Sequence, residues 1–160
     1  MGLDQYLHKR TWISNGDWVK EEHREEVTIT KGGSPHEKIK SKNIKYVVEE
    51  IGYWRKANAI HRWFVDNVQN GVDNCEDYRV KVDQLEDLLK VCKQVKKNTC
   101  MGEDLLPTKG GFFFGGTEYG SDYIHDIDNT IAIIEDLYVV DSEGNSRLDD
   151  GDGIYYSSSW

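Results

Sequence analysis

Only three cysteines occur in the 160-residue chain, Cys75, Cys92 and Cys100, and no two of them form a CxxC pair. Such a set builds no even disulfide framework, so free thiols in a reducing cytoplasm are expected. No apolar run approaches the length of a membrane-spanning helix, and the opening MGLDQYLHKR lacks the long apolar core of a signal peptide. The expectation is a protein that stays in the compartment where it is made, without membrane association. HExxH and GxSxG are both missing, and no cysteine stands beside a histidine at an informative spacing. Basic charge is also scarce: 20 Lys and Arg face 29 Asp and Glu, a formal net charge of -9. That balance argues against direct nucleic-acid binding, because phosphates must be met by a net basic surface.

What is present fits one ordinary domain with its own core. The chain is 38% hydrophobic and 31% charged, and five Trp and nine Tyr supply large side chains to bury. Leu3 to Ile13 alternates as a strand with apolar residues in both parities, which predicts cover on both faces. Val27 and Ile29 mark a second short strand before Lys31-Gly32-Gly33-Ser34-Pro35. A third strand runs from Ile44 through Tyr46 and Val48, and its parity then shifts to Ile51 and Tyr53, which predicts a bulge between Glu49 and Gly52. Helical spacing of Ala57, Ile60, Phe64 and Val68 predicts a first helix that begins near Trp54 to Lys56. Asp83 and Glu86 suggest a capping box for a second helix, whose stripe of Leu85, Leu88, Leu89, Cys92 and Val95 makes Cys92 a core residue. Gly110 to Gly116 reads as a buried three-Phe strand between tight glycine turns. A third helix follows from Ser121 or Asp122, with Ile124, Ile127, Ile131, Ile134 and Tyr138 in its stripe. Ile154 to Trp160 reads as a last strand. Strands at both ends with helices between them give an α+β fold, a mainly antiparallel sheet with about three helices packed on it.

The stretch Tyr53–Phe64, YWRKANAIHRWF, holds no acidic residue in an acidic chain. A helix N-terminus favours an anion through its free N–H groups and dipole. Arg55, Lys56 and Asn58 would lie in the first turn. Asn58 and His61 share a helix face, as do Arg55 and Arg62. Arginine holds phosphate bidentately, and Tyr53, Trp54 or Trp63 could stack on a base. The alternative is that the aromatic residues are core and that Arg55 and Arg62 only meet the acidic third helix. The run GGFFFGGTEY lacks the Lys-Ser/Thr ending of a P-loop, yet Thr117, Glu118 and Tyr119 at its exit could offer a hydroxyl, a carboxylate and a ring to a ligand. Asp122, His125 and Asp126 share one side of the third helix as a possible metal arrangement, but nothing elsewhere completes it, and no metal is expected. Asp149, Asp150 and Asp152 resemble a calcium loop only in composition.

Three stretches, MGLDQYL, EEIGYWRKANAIHRWFVDNVQNGVDNC and LLPTKGGFFFGGTEY, together resemble a family of small bacteriophage and prophage proteins to which no reaction or fixed site residues are attached. The resemblance implies a short accessory gene and the cytoplasm of an infected bacterium. Small proteins of that kind often counter host defence. The expectation is thus a non-catalytic, homo-oligomeric sponge for a phosphorylated nucleotide-type immune signal, without a cofactor. The alternative is an acidic inhibitor that docks on a host defence or nucleic-acid-binding protein.

Overall fold

In the computed structural model, residues 2–140, 142–148 and 151–160 are described. Four strands form the main antiparallel sheet: β1 (Asp4–Trp12), β4 (Tyr46–Arg55), β5 (Tyr78–Val80) and β6 (Gly153–Ser159), in the order β4-β1-β6-β5. A separate two-stranded hairpin, β2 (Thr30–Lys31) and β3 (Ser34–Pro35), occupies the long connection between β1 and β4. The helices are α1 (Asn58–Asn67), α2 (Val82–Lys97), the single turn α3 (Gly102–Leu105) and α4 (Ser121–Leu137). The fold is α+β, with its helices on one face of the sheet. No helix among the described residues is long and apolar enough to cross a membrane.

One continuous core lies between sheet and helices, because the inward residues of the two central strands meet the apolar stripes of the helices. Leu7 and Tyr156 from the strands pack with Ile60 and Phe64 of α1 and with Ile127, Ile131 and Ile134 of α4. The Phe64 and Tyr156 rings stack nearly parallel at 3.9 Å between centroids and fasten α1 to β6. Cys92 is fully buried in α2, as its place in the stripe predicts, and burial pushes its thiol up to about 12. At Gly52 the sheet comes so near α4 that a Cβ would sit 2.8 Å from the Ile133 side chain. The parity shift in β4 is a true bulge. Leu7 pairs with Gly52 and His8 with Glu50, so Ile51 is the extra residue and turns into the core.

Several local expectations are corrected. β4 continues through Arg55, so α1 starts at Asn58 and neither Arg55 nor Lys56 belongs to its first turn. The α2 cap is Lys81, two residues earlier than Asp83, with Gln84 accepting from the Lys81 N–H at 2.9 Å. Gly120 precedes α4, and no side chain caps it. The Phe112–Phe114 run is no strand: Phe112 is 97% exposed and only Phe114 is buried, since the paired glycines form turns rather than ladder positions. The outer face of the sheet is uncovered, with Trp12 40% exposed. Asp149 and Asp150 lie outside the described residues, and Asp152 accepts a hydrogen bond from the Thr11 hydroxyl at 2.7 Å.

Candidate functional site

The strand-to-helix junction around Lys56 organises two neighbouring polar regions. Lys56 has φ 60, a left-handed conformation that strains any residue with a Cβ. Its N–H donates to the Leu3 carbonyl at 2.7 Å, which ties the sharp turn to the start of β1. Gly115, at φ +88, fits directly against this turn, where an added Cβ would lie 3.0 Å from the Lys56 Cβ. Asn58 then locks the glycine-rich loop to the helix. Its amide donates to the carbonyls of Phe114 at 3.0 Å and Gly116 at 2.7 Å, and its oxygen accepts from the Lys109 N–H at 3.0 Å. Asn58 therefore spends its side chain on building the site and not on a ligand.

The first region is an open cleft of about 390 Å³, lined by Arg55, Lys56, Ala59, Glu118, Ser121 and Asp126 among others. It sits where the N-terminal turns of α1 and α4 converge, and neither helix has a side-chain cap. First-turn N–H groups of both helices are thus left without a side-chain acceptor, and two positive dipole ends share one space. Arg55 and Lys56 add charge on that wall. Arg55 meets Asp4 at 3.5 Å and lies largely in solvent, so it keeps donors to spare. The opposite wall carries Glu118, Asp122, His125 and Asp126. Burial pushes the Asp126 carboxyl up to about 6, an effect the neighbouring His125 opposes and Asp122 reinforces. Asp122, His125 and Asp126 do fall on one wall, as helical spacing predicts, but no group of three metal-ligating side chains occurs among the described residues.

The second region is a buried chain behind the Asn58 lock. His61 has no exposed surface. Its Nε2 lies 3.0 Å from an Asp73 carboxylate oxygen and its Nδ1 lies 2.8 Å from the Tyr156 hydroxyl. That hydroxyl is also 3.2 Å from the Gln5 side-chain oxygen, and its single proton serves one acceptor at a time. Gln5 is fixed in orientation because its amide donates to the Ala57 carbonyl at 3.2 Å. At the outer end Asp73 accepts from the Trp160 indole at 3.1 Å and faces Lys109 at 3.7 Å. Burial holds His61 below its ordinary value, against the pull of Asp73.

The sequence-predicted ligand residues therefore separate. Arg55, Lys56, Asn58 and Glu118 come together in the cleft, with Thr117 beside them in the loop, where its carbonyl accepts from the Thr108 hydroxyl at 3.1 Å. Tyr119 packs edge-on against Tyr123 at 4.9 Å and accepts from the Thr108 N–H at 3.4 Å, and it does not line the cleft. Trp54 is buried and donates to the Thr130 hydroxyl at 2.9 Å, which removes it from base stacking. Tyr53 points to the other side of the sheet and donates to Asp4 at 2.5 Å. His61 belongs to the buried chain, because one further turn of α1 carries it under the loop. Arg62 lies outside the cleft and meets Asp66 and the Thr108 carbonyl. It pairs with nothing on α4, and neither does Arg55. Gln5, Asp73 and Tyr156 escaped sequence reasoning, since nothing in spacing or composition links residues so far apart. No protein-family model, curated protein or solved structure matches this chain.

Proposed function

We propose that the protein binds a small phosphorylated nucleotide-type ligand in the cleft between the starts of α1 and α4, and holds it without reacting on it. The observation that carries this reading is the convergence of two helix N-termini without side-chain caps, together with Arg55 and Lys56, on one cleft. Anions are favoured at such ends by dipole and free N–H groups alike. The volume falls within the roughly 300–1,000 Å³ of small-molecule sites. A nucleotide also suits the mixed lining. Its phosphate takes the basic wall, while Glu118 and Asp126 accept hydrogen bonds from ribose hydroxyls or an exocyclic amine. The further reading, that the ligand is an immune signal sequestered in an infected bacterial cytoplasm, rests on the resemblance of the three sequence stretches. The alternative as an acidic inhibitor draws less support from α4. Glu135 and Asp128 on that helix meet Lys93 and Lys96 of α2 at 2.6 and 2.7 Å, which removes part of its free negative charge.

The test is retention. Purified protein is incubated with a panel of nucleoside monophosphates and cyclic mono- and dinucleotides, washed, heat-denatured, and the released material chromatographed. One nucleotide is expected to emerge intact and in stoichiometric amount, and the Arg55→Ala, Lys56→Ala double variant is expected to lose it. Retention of nothing by the wild type, or equal retention by the variant, overturns the binding reading. Release of a chemically altered nucleotide overturns the non-catalytic one.

A further inference from the structure

The face of the sheet turned away from the helices carries Tyr6, His8, Arg10 and Trp12 from β1, with Tyr46, Val48 and Tyr53 from β4 and Tyr155 from β6. Trp12, Tyr46, Val48 and Tyr53 are 40%, 56%, 56% and 41% exposed, a large apolar patch for a surface strand pair. The face is also where the charge of the chain is missing. Arg10 and Arg79 balance Glu50 and Asp77 there, although the chain as a whole carries -9. No lysine occupies an outward position on these strands. Enrichment in Tyr, Trp and Arg with depletion of Lys is the composition of a protein interface.

We propose that this face is the contact between two copies of the chain, related by a twofold axis that runs along the strands between β1 and β6. An isologous contact must be complementary to itself, and the register supplies that property. One row across the sheet reads Glu50, His8, Tyr155, Arg79. Its two ends are opposite charges, and neither Glu50 nor Arg79 has a partner among the described residues. The proposed axis places Glu50 of each copy opposite Arg79 of the other. In the adjacent rows Arg10 pairs with Gly153, and Tyr6 with Ser157, so the same axis sets a large side chain against a small one in each. Sheets packed in this aligned way interdigitate about 10 Å apart. At about 4.8 Å between strands and about 3.4 Å per residue, the four strands, of which β5 is only three residues long, present a footprint on the order of 500 Å². With side-chain relief that reaches the order of 800 Å² per partner of a standard interface, roughly. The inference is independent of the ligand reading, because neither Glu50 nor Arg79 lines the cleft.

Sedimentation velocity on the wild type, Glu50→Arg and Arg79→Glu tests it. Both residues are exposed, so the fold tolerates either change. The wild type is expected to be a dimer, and each variant alone to dimerise more weakly by about tenfold or more, since like charges then face each other twice. Mixing the two variants restores both contacts at once, so the mixture is expected to recover a heterodimer. A wild type that stays monomeric at 100 µM overturns the proposal. So do variants that dimerise like the wild type, and so does a mixture that fails to pair.

Discussion

The cleft and the buried chain lie on either side of the Asn58 lock, and they treat charge in opposite ways. Behind the Asn58 lock, His61 has both ring nitrogens engaged and Asp73 has an indole, an imidazole and an ammonium around it. In front of the lock, Arg55 holds one distant carboxylate and Asp126 has no hydrogen-bond partner for its side chain among the described residues. A region whose polar groups satisfy one another holds the fold. A region whose polar groups are left with spare capacity is prepared for a ligand. Buried networks are costly to break, whereas partly solvated charges cost little to remove.

That contrast is broken most sharply at His61. His61→Leu leaves the Asp73 carboxylate and the Tyr156 hydroxyl facing an apolar side chain, both partly or wholly out of water. The loss expected is about 3 kcal/mol of unfolding free energy, the usual scale for opening a buried polar network. Arg55→Ala is expected to change stability by less than about 0.5 kcal/mol, the usual surface value. Urea unfolding of the two variants side by side measures the difference. Equal costs would mean that the two regions do not differ in the way described.

How far the division was legible in the sequence depends on distance along the chain. The helical stripes and the bulge at Ile51 follow from periodicities within a few residues and are found in place, whereas Val27 and Ile29 lie outside any strand and the three-residue β5 is too short to show a period. Arg55, Lys56, Asn58 and Glu118 also stand out, because a basic stretch and a glycine-rich exit are local signals. Helix face alone groups His61 with them. What separates it is Tyr156, 95 positions away, and Asp73, whose carboxylate nothing nearby in the sequence explains. The failure at Phe112–Phe114 has another cause. Three aromatic residues read as buried, but glycine pairs at both ends let the chain turn instead of pairing, and Phe112 is left in solvent. The open outer face of the sheet was hidden for a related reason: aromatic residues in both parities of β1 look like two-sided cover, and sequence cannot say whether a second copy supplies it.

A second, smaller difference concerns pH, and its sign separates the regions. His61 is held below its ordinary value of 6.5 in the fold, so the unfolded chain takes the proton first. Stability contributed by its neutral form is therefore lost as pH falls from 6.5 through the folded value. Asp126 is raised from 3.8 to about 6, so the folded chain keeps its proton longer. Stability contributed there is present below about 3.8 and is lost as pH rises through about 6. Asp126→Asn is accordingly expected to stabilise the protein above pH 6 by about 1–2 kcal/mol, after allowance for solvent screening, and to do nothing near pH 4. Denaturation at a series of pH values reads both slopes. A gain from Asp126→Asn that is constant across the series would place its effect in packing and leave the carboxylate without the role given to it.

The finest division between fold and function runs through a single residue, Lys56. Its backbone at φ 60 costs about 1 kcal/mol or more for any residue with a Cβ, and glycine removes that cost. Glycine also gives the unfolded chain more freedom, which offsets part of the gain. Lys56→Gly is expected to stabilise the protein by a few tenths of a kcal/mol, roughly, since its N–H bond to Leu3 is kept. The same change removes the ammonium from the cleft wall and is expected to weaken nucleotide retention. A variant that gains stability and loses ligand would show strain maintained for binding, the usual direction of the trade between stability and activity. A variant that loses both would instead make the Lys56 side chain part of the packing around Gly115 and Gly2, where its methylenes already lie within 3.0 and 3.3 Å of any added Cβ.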